Sequence, residues 1–83
     1  MKNEFPQFRK YPNNKSFFKV FSEQEFEEIQ VLGSHYFINR VKARILPDRN
    51  FIADMIKAES NWVKIKAEEY FSISEKASLN SKS

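Results

Sequence analysis

The chain has no cysteine, one glycine, one histidine and no long apolar run. Without cysteine there is neither a disulfide framework nor a thiolate site, which suits a reducing compartment and a cytoplasmic protein. A single glycine, Gly33, cannot build a phosphate-cradling loop. One histidine, His35, with Asp48 and Asp54 as the only aspartates, does not make a clustered metal site, so no metal and no cofactor is expected. The first eighteen residues, MKNEFPQFRKYPNNKSFF, lack the apolar core of a signal peptide. The apolar runs elsewhere are a few residues long, so no membrane partner is expected. Basic amphipathic character is missing too, because the helical stretches are acidic or mixed.

What remains is a chain of 83 residues, 41% hydrophobic and 16% aromatic, enough apolar material for one globular domain and too much for a disordered one. Fourteen basic against eleven acidic residues give a net charge of +3, which by itself does not imply nucleic acid. Richness in Lys, Asn, Ile and Phe points to an AT-rich source genome.

Residues 1–15 carry Pro6, Pro12 and Asn13-Asn14, which favour turns and extended backbone. They read as an irregular arm, with Phe5, Phe8 and Tyr11 available to pin it. SFFKVF (16–21) is β-prone and reads as a strand. FSEQEFEEIQVLG (21–33) admits two readings. As a strand, Ile29 and Val31 alternate and Gly33-Ser34 becomes a hairpin turn. As a helix, Ser22 with Glu25 forms a capping box, Phe21 and Phe26 form a hydrophobic staple, and Phe26, Ile29 and Leu32 share a face ended by Gly33. More signals agree on the helix, which is the expectation. HYFINRVKARI (35–45) alternates throughout and reads as the most secure strand. Pro47 and Asp48 then open a helix, with Asp48 as cap and Phe51, Ile52, Met55 and Ile56 as its apolar stripe, ending near Ser60-Asn61. WVKIK (62–66) reads as a third strand and 67–77 as a short helix with Glu68 and Glu69 in its first turn. Residues 78–83 read as a disordered tail. FKVFSEQEFEEI and VKIKAEEYFSI share a strand–turn–acidic–aromatic pattern, but two copies fall short of a repeat array.

The expected fold is therefore α+β: one small domain over 16–77, with a three-stranded sheet and two or three helices on one face. Side chains alternate between the faces of a strand. The 35–45 strand splits into His35, Phe37, Asn39, Val41, Ala43 and Ile45 on one side and Tyr36, Ile38, Arg40, Lys42 and Arg44 on the other. The second set carries three charges, so the first should face the helices. The same logic turns Phe18, Val20, Val63 and Ile65 inward. The open side would then show Phe17, Phe21, Tyr36 and Trp62 among Lys19, Arg40, Lys42, Arg44, Lys64 and Lys66, with no acidic residue in these sets.

Aromatic faces stack exposed bases, and neighbouring cations neutralise phosphates. Phe17, Lys19, Tyr36, Arg40, Lys42, Arg44, Trp62 and Lys64 are therefore the candidate surface for single-stranded nucleic acid. The competing reading is a protein interface, homodimeric or with another subunit, on the same residues. An ordinary solvated strand face would also carry Lys and Arg. Beyond these, GSHYF resembles the Gly-Ser-His stretch of the HicA-type toxin ribonucleases, small basic domains. The resemblance covers Gly33, Ser34, His35 and the following aromatic, and would imply RNA cleavage through His35. The leading expectation is a non-enzymatic binding domain.

Overall fold

The computed structural model describes residues 4–58 and 62–81. Five strands form a single antiparallel sheet: β1 (Gln7–Lys10), β2 (Ser16–Ser22), β3 (Glu25–Leu32), β4 (His35–Lys42) and β5 (Val63–Lys64). Helix α1 (Leu46–Lys57) follows β4, and helix α2 (Ala67–Ser81) follows β5. The strand order across the sheet is β4-β3-β2-β1-β5. The α+β class holds. The sheet has five strands instead of three, and the helices lie on both of its faces.

Each face has its own core. On one, α1 sets Ile52 and Met55 against Phe18, Val20, Phe26 and Ala43. On the other, α2 sets Tyr70 and Ala77 against Phe8, Phe17 and Ile29. A sheet this small is stabilised only when its apolar side chains leave water, and two thin layers achieve that where one helical layer would leave Phe17 and Ile29 exposed.

The residues 21–33 form strand and turn, not helix. The turn between β3 and β4 is the two-residue Gly33-Ser34, with φ 63° at Gly33 alone. Positive φ confined to the first turn position is the pattern of a II′ hairpin, which suits the twist of the flanking strands. Ser22 makes a local turn bond instead of capping a helix: its hydroxyl accepts from the Gln24 N–H at 3.0 Å. A bulge between Val20 and Ser22 accommodates Phe21.

The expected irregular arm contains β1, which is paired on both sides, with β2 and with β5. Its inward-facing Arg9 disguises it. The Arg9 Nε donates to the Met55 carbonyl at 2.7 Å and Nη2 to the Ile56 carbonyl at 3.2 Å, so the guanidinium caps the C-terminal end of α1. Nη1 donates to the Phe8 carbonyl at 2.8 Å and Nη2 to Gln7 Oε1 at 2.7 Å. A tight turn joins β1 to β2: the Asn14 N–H donates to the Tyr11 carbonyl at 3.0 Å, with Asn14 at φ 61°. Asparagine tolerates that left-handed backbone better than most residues.

Helix α1 starts at Leu46 with Ile45 in the capping position and no side-chain cap, so Asp48 favours the helix dipole from the first turn without capping it. The expected helix end at Ser60-Asn61 lies outside the described residues. Helix α2 continues to Ser81, so residues 78–81, expected as tail, are helical; the last two residues of that tail lie outside the described residues. No helix among the described residues is long and apolar enough to cross a membrane.

Candidate interaction surfaces

Residues paired directly across neighbouring strands share a face of the sheet. The pairings Phe8↔Lys19, Lys19↔Glu27 and Glu27↔Arg40 therefore put Phe17, Lys19, Tyr36, Arg40 and Lys42 on the α2 face together, as their alternation predicts. The pairing Arg9↔Lys64 puts Lys64 and Trp62 on the α1 face instead. Trp62 packs there at ring distances of 4.9 Å from Tyr11, 5.1 Å from Phe18 and 5.4 Å from Phe51. Trp62 and Lys64 do not join the other candidates. Arg44 lies beyond the end of β4 and is exposed.

The α2 face is not open. Phe17 is 4% exposed beneath α2, and Tyr36 is partly buried against the same core. Neither offers a free ring to a base. What survives is a cluster of cations and rings outside this core. The Arg40 guanidinium lies 4.3 Å from the Phe21 ring centre, and the Lys19 ammonium 5.0 Å from Phe21 and 5.3 Å from Phe71. Phe71, on α2, is half-exposed. Sequence reasoning passed over Phe71 because α2 was set apart from this face.

Strand β3 brings carboxylates into the same cluster. Glu27 is opposite both Lys19 and Arg40, and Glu25 is opposite Lys42. Arg40 Nε is 3.3 Å from Glu25 Oε2. Tyr70 donates its hydroxyl hydrogen to Glu27 Oε1 at 2.7 Å. Burial, followed by that bond to the Glu27 carboxylate, pushes the Tyr70 hydroxyl far above the ordinary phenol range. Three cations (Lys19, Arg40, Lys42) less two carboxylates (Glu25, Glu27) leave the cluster at +1. The absence of acids from the expected face depended on reading 21–33 as a helix; the strand reading of the same residues places both glutamates between the basic strands.

His35 begins β4 and is exposed, and no side chain is hydrogen-bonded to it among the described residues. No group of three or more possible metal-ligating His, Asp or Glu side chains occurs among the described residues. A groove of about 540 Å³ lies between α1 and the β2–β3 turn, lined by side chains of both charges, Glu23 with Arg49 and Lys57 among them. None of the candidate residues lines it.

The remaining surface is the edge of the sheet at β4. The other edge, β5, has two residues, whereas β4 has eight. Leu32 and His35 close a two-residue hairpin and so exchange hydrogen bonds, which turns the N–H and C=O of odd-numbered β4 residues toward β3. The Ala43 N–H, directed at the Gln24 carbonyl at 2.6 Å, continues the alternation. The even residues Tyr36, Ile38, Arg40 and Lys42 therefore present their backbone groups outward. Phe37 and Ile38 flank this row on opposite faces, 52% and 50% exposed. No protein-family model matches the chain, and neither a curated protein nor a solved structure is detectably similar to it.

Proposed function

We propose that the chain is a non-enzymatic protein-interaction module whose docking element is the free edge of β4. The observation that supports this reading is an eight-residue edge strand with two half-exposed apolar side chains and an unpaired row of backbone donors and acceptors. An added strand satisfies that row, and its alternate side chains cover Phe37 on one face and Ile38 on the other. Natural edges are commonly blunted by charged side chains, proline, bulges or covering elements; the charges of β4, Arg40 and Lys42, lie in its C-terminal half and leave residues 36–39 uncharged. Proline is absent from 35–42, and the bulge of this sheet lies at β2.

The test uses random peptides displayed on phage, with the selected sequences resynthesised and titrated into isotope-labelled protein. Binding is expected to shift and slow the exchange of the Tyr36, Ile38, Arg40 and Lys42 amides. Peptides that bind elsewhere, or a monomeric chain that selects no peptide at all, would sink the reading.

One observation favours a second reading, single-stranded nucleic acid. Lys19 and Arg40 stand over Phe21, with Phe71 half-exposed beside them. Bases stacking on Phe71 and phosphates on Arg40 and Lys42 would use that cluster. Three cations limit the logarithmic salt slope for a single strand to about −2. Titration of a uridine-rich RNA oligonucleotide at two salt concentrations checks this. Shifts at Lys19, Phe71 and Arg40 that fade with salt favour it, and an unmoved spectrum refutes it.

A further inference from the structure

We infer that the strand that docks on β4 is β4 of a second copy of this chain, paired antiparallel about a two-fold axis at Ile38 or Asn39. The inference rests on the edge-strand reading above and adds the identity of the partner.

The symmetry is restrictive. Two antiparallel strands of one continuous sheet are related by a two-fold perpendicular to that sheet, so each face continues into the same face of the other copy. Only pairings between residues of equal parity satisfy this. Overlap and charge then select among them: an axis at Tyr36 or Phe37 pairs only three or five residues of β4, against seven for an axis at Ile38 or Asn39. An axis at Arg40 sets that cation against itself, and an axis at Val41 sets each Arg40 against the other copy's Lys42. Directly opposed like charges are destabilising. An axis at Ile38 sets each Arg40 against Tyr36 of the other copy and Ile38 against Ile38. An axis at Asn39 sets each Lys42 against Tyr36 of the other copy and each Phe37 against Val41. Both avoid every like-charge pair within β4, and both place a cation beside an aromatic ring twice.

The backbone agrees with this choice. Both axes bring even residues opposite even residues in the hydrogen-bonded pairs, and the even residues are the ones with outward N–H and C=O groups. Half-exposed Phe37 and Ile38 both gain a neighbour from the other copy. The assembly also terminates. Once β4 is paired, the joined sheet ends at two copies of β5, each two residues long, which offers no template for further strands.

The natural absence of cysteine makes the test clean. Single substitutions Tyr36→Cys, Phe37→Cys, Ile38→Cys, Asn39→Cys, Arg40→Cys and Val41→Cys are oxidised mildly in the full chain, and dimer is read on a denaturing gel. Equivalent residues on the axis lie about 5.5 Å apart in a hydrogen-bonded pair and about 4.5 Å in a non-bonded pair, both within disulfide reach. The expected profile peaks at Ile38 or Asn39 and falls on either side. Sedimentation of the unmodified chain should give a dimer at high micromolar concentration. Of the hydrogen-bonding groups of β4, Ile38→Pro removes only an outward N–H, as edge strands tolerate, so it should keep the circular dichroism of the parent while raising the dimer dissociation constant at least about tenfold, two hydrogen bonds and the Ile38 contact being lost per dimer. A monomer at that concentration overturns the inference, as does a cross-linking peak at Tyr36, Phe37, Arg40 or Val41, or a dimer that Ile38→Pro leaves intact. A monomer whose β4 amides are nonetheless protected by selected peptides would remove the second copy and keep the docking edge. A monomer that binds none removes both.

Discussion

Arg9→Met should destabilise the fold, because Arg9 is a buried cation that holds the C-terminal carbonyls of α1. Its side chain is buried, and no carboxylate forms an ion pair with it among the described residues. Burial lowers its pKa from the ordinary guanidinium value. The charge is held by carbonyls, two of them at the last turn of α1, where the helix dipole places partial negative charge. Arg9→Met keeps most of the aliphatic stem and removes every donor. The Phe8 carbonyl retains the Ile65 N–H at 3.3 Å, and Gln7 is only partly buried and can turn to water. The loss is therefore concentrated at Met55 and Ile56. A hydrogen bond from a charged donor contributes about 1.5–3 kcal/mol, and the dipole adds roughly 0.3–2 kcal/mol. Relief from burying a cation offsets part of that sum. The expected net destabilisation is about 2–3 kcal/mol, between the uncompensated sum and full cancellation. In a domain of this size that lowers Tm by roughly 10–20 °C. Urea unfolding followed by Trp62 fluorescence reads the α1-side core directly, since Trp62 packs on it. Arg9→Lys should fall between parent and Arg9→Met, because an ammonium keeps the charge but not the fork that spans two carbonyls. If Arg9→Met lies within about 0.5 kcal/mol of the parent, the carbonyls do not depend on the guanidinium and the capping argument is wrong.

Tyr70 should make the protein labile to alkali. Its folded pKa lies above the unfolded value of about 10, so above that pH the unfolded chain releases a proton that the folded chain keeps. Stability from this group is complete below about pH 10 and then falls by up to about 1.4 kcal/mol per pH unit. Tyr70→Phe should cost about 1 kcal/mol at neutral pH and reduce the alkaline slope, which urea midpoints across that range would show; equal slopes in parent and variant refute the assignment. Ala58 ends α1 in the left-handed region, at φ 55° and ψ 42°. Relief of about 1–2 kcal/mol of strain exceeds the roughly 0.4–1 kcal/mol by which glycine favours the unfolded chain, so Ala58→Gly should stabilise by about 0.5 kcal/mol in thermal melts. Glu25→Gln with Glu27→Gln raises the cation cluster from +1 to +3, and should tighten RNA binding if the nucleic-acid reading holds, with no change in the β4 cross-linking profile.

Alternation was legible in the sequence, and layering was not. Parity along β2 and β4 placed Phe17, Lys19, Tyr36, Arg40 and Lys42 on one face, where the sheet puts them. What parity cannot supply is which face of one strand joins which face of another. Val63 and Ile65 were expected beside Phe18 and Val20; the pairing with β1 turns β5 the other way, sending Ile65 to the α2 core and Trp62 to the α1 core. The helix expected over 22–32 has a specific origin. In β3, Phe26 points to the α1 core, while Ile29 and Val31 point to the α2 core. Apolar positions that change face along the strand fall at 26, 29 and 32, the spacing of a helical stripe. The two-sided cover writes a helix-like period into a strand. β1 was missed because its inward position is an arginine, whose partners are backbone carbonyls that no side-chain pattern reveals.

The same two-sided cover bears on function. A sheet with helices on one side leaves a broad face for a ligand, and the aromatic–basic expectation rested on that breadth. Here α2 crosses the face from β1 to β4, over Phe8, Phe17 and Ile29, and β3 threads Glu25 and Glu27 between the cations that remain. Phosphate recognition loses field strength there, since each cation already has a carboxylate opposite it. A sheet edge is not subject to that cancellation, because its strongest donors and acceptors are backbone groups. Covering both faces of a small antiparallel sheet thus leaves its edges as the places where backbone donors and acceptors stay unpaired, and of the two edges β4 has eight residues where β5 has two.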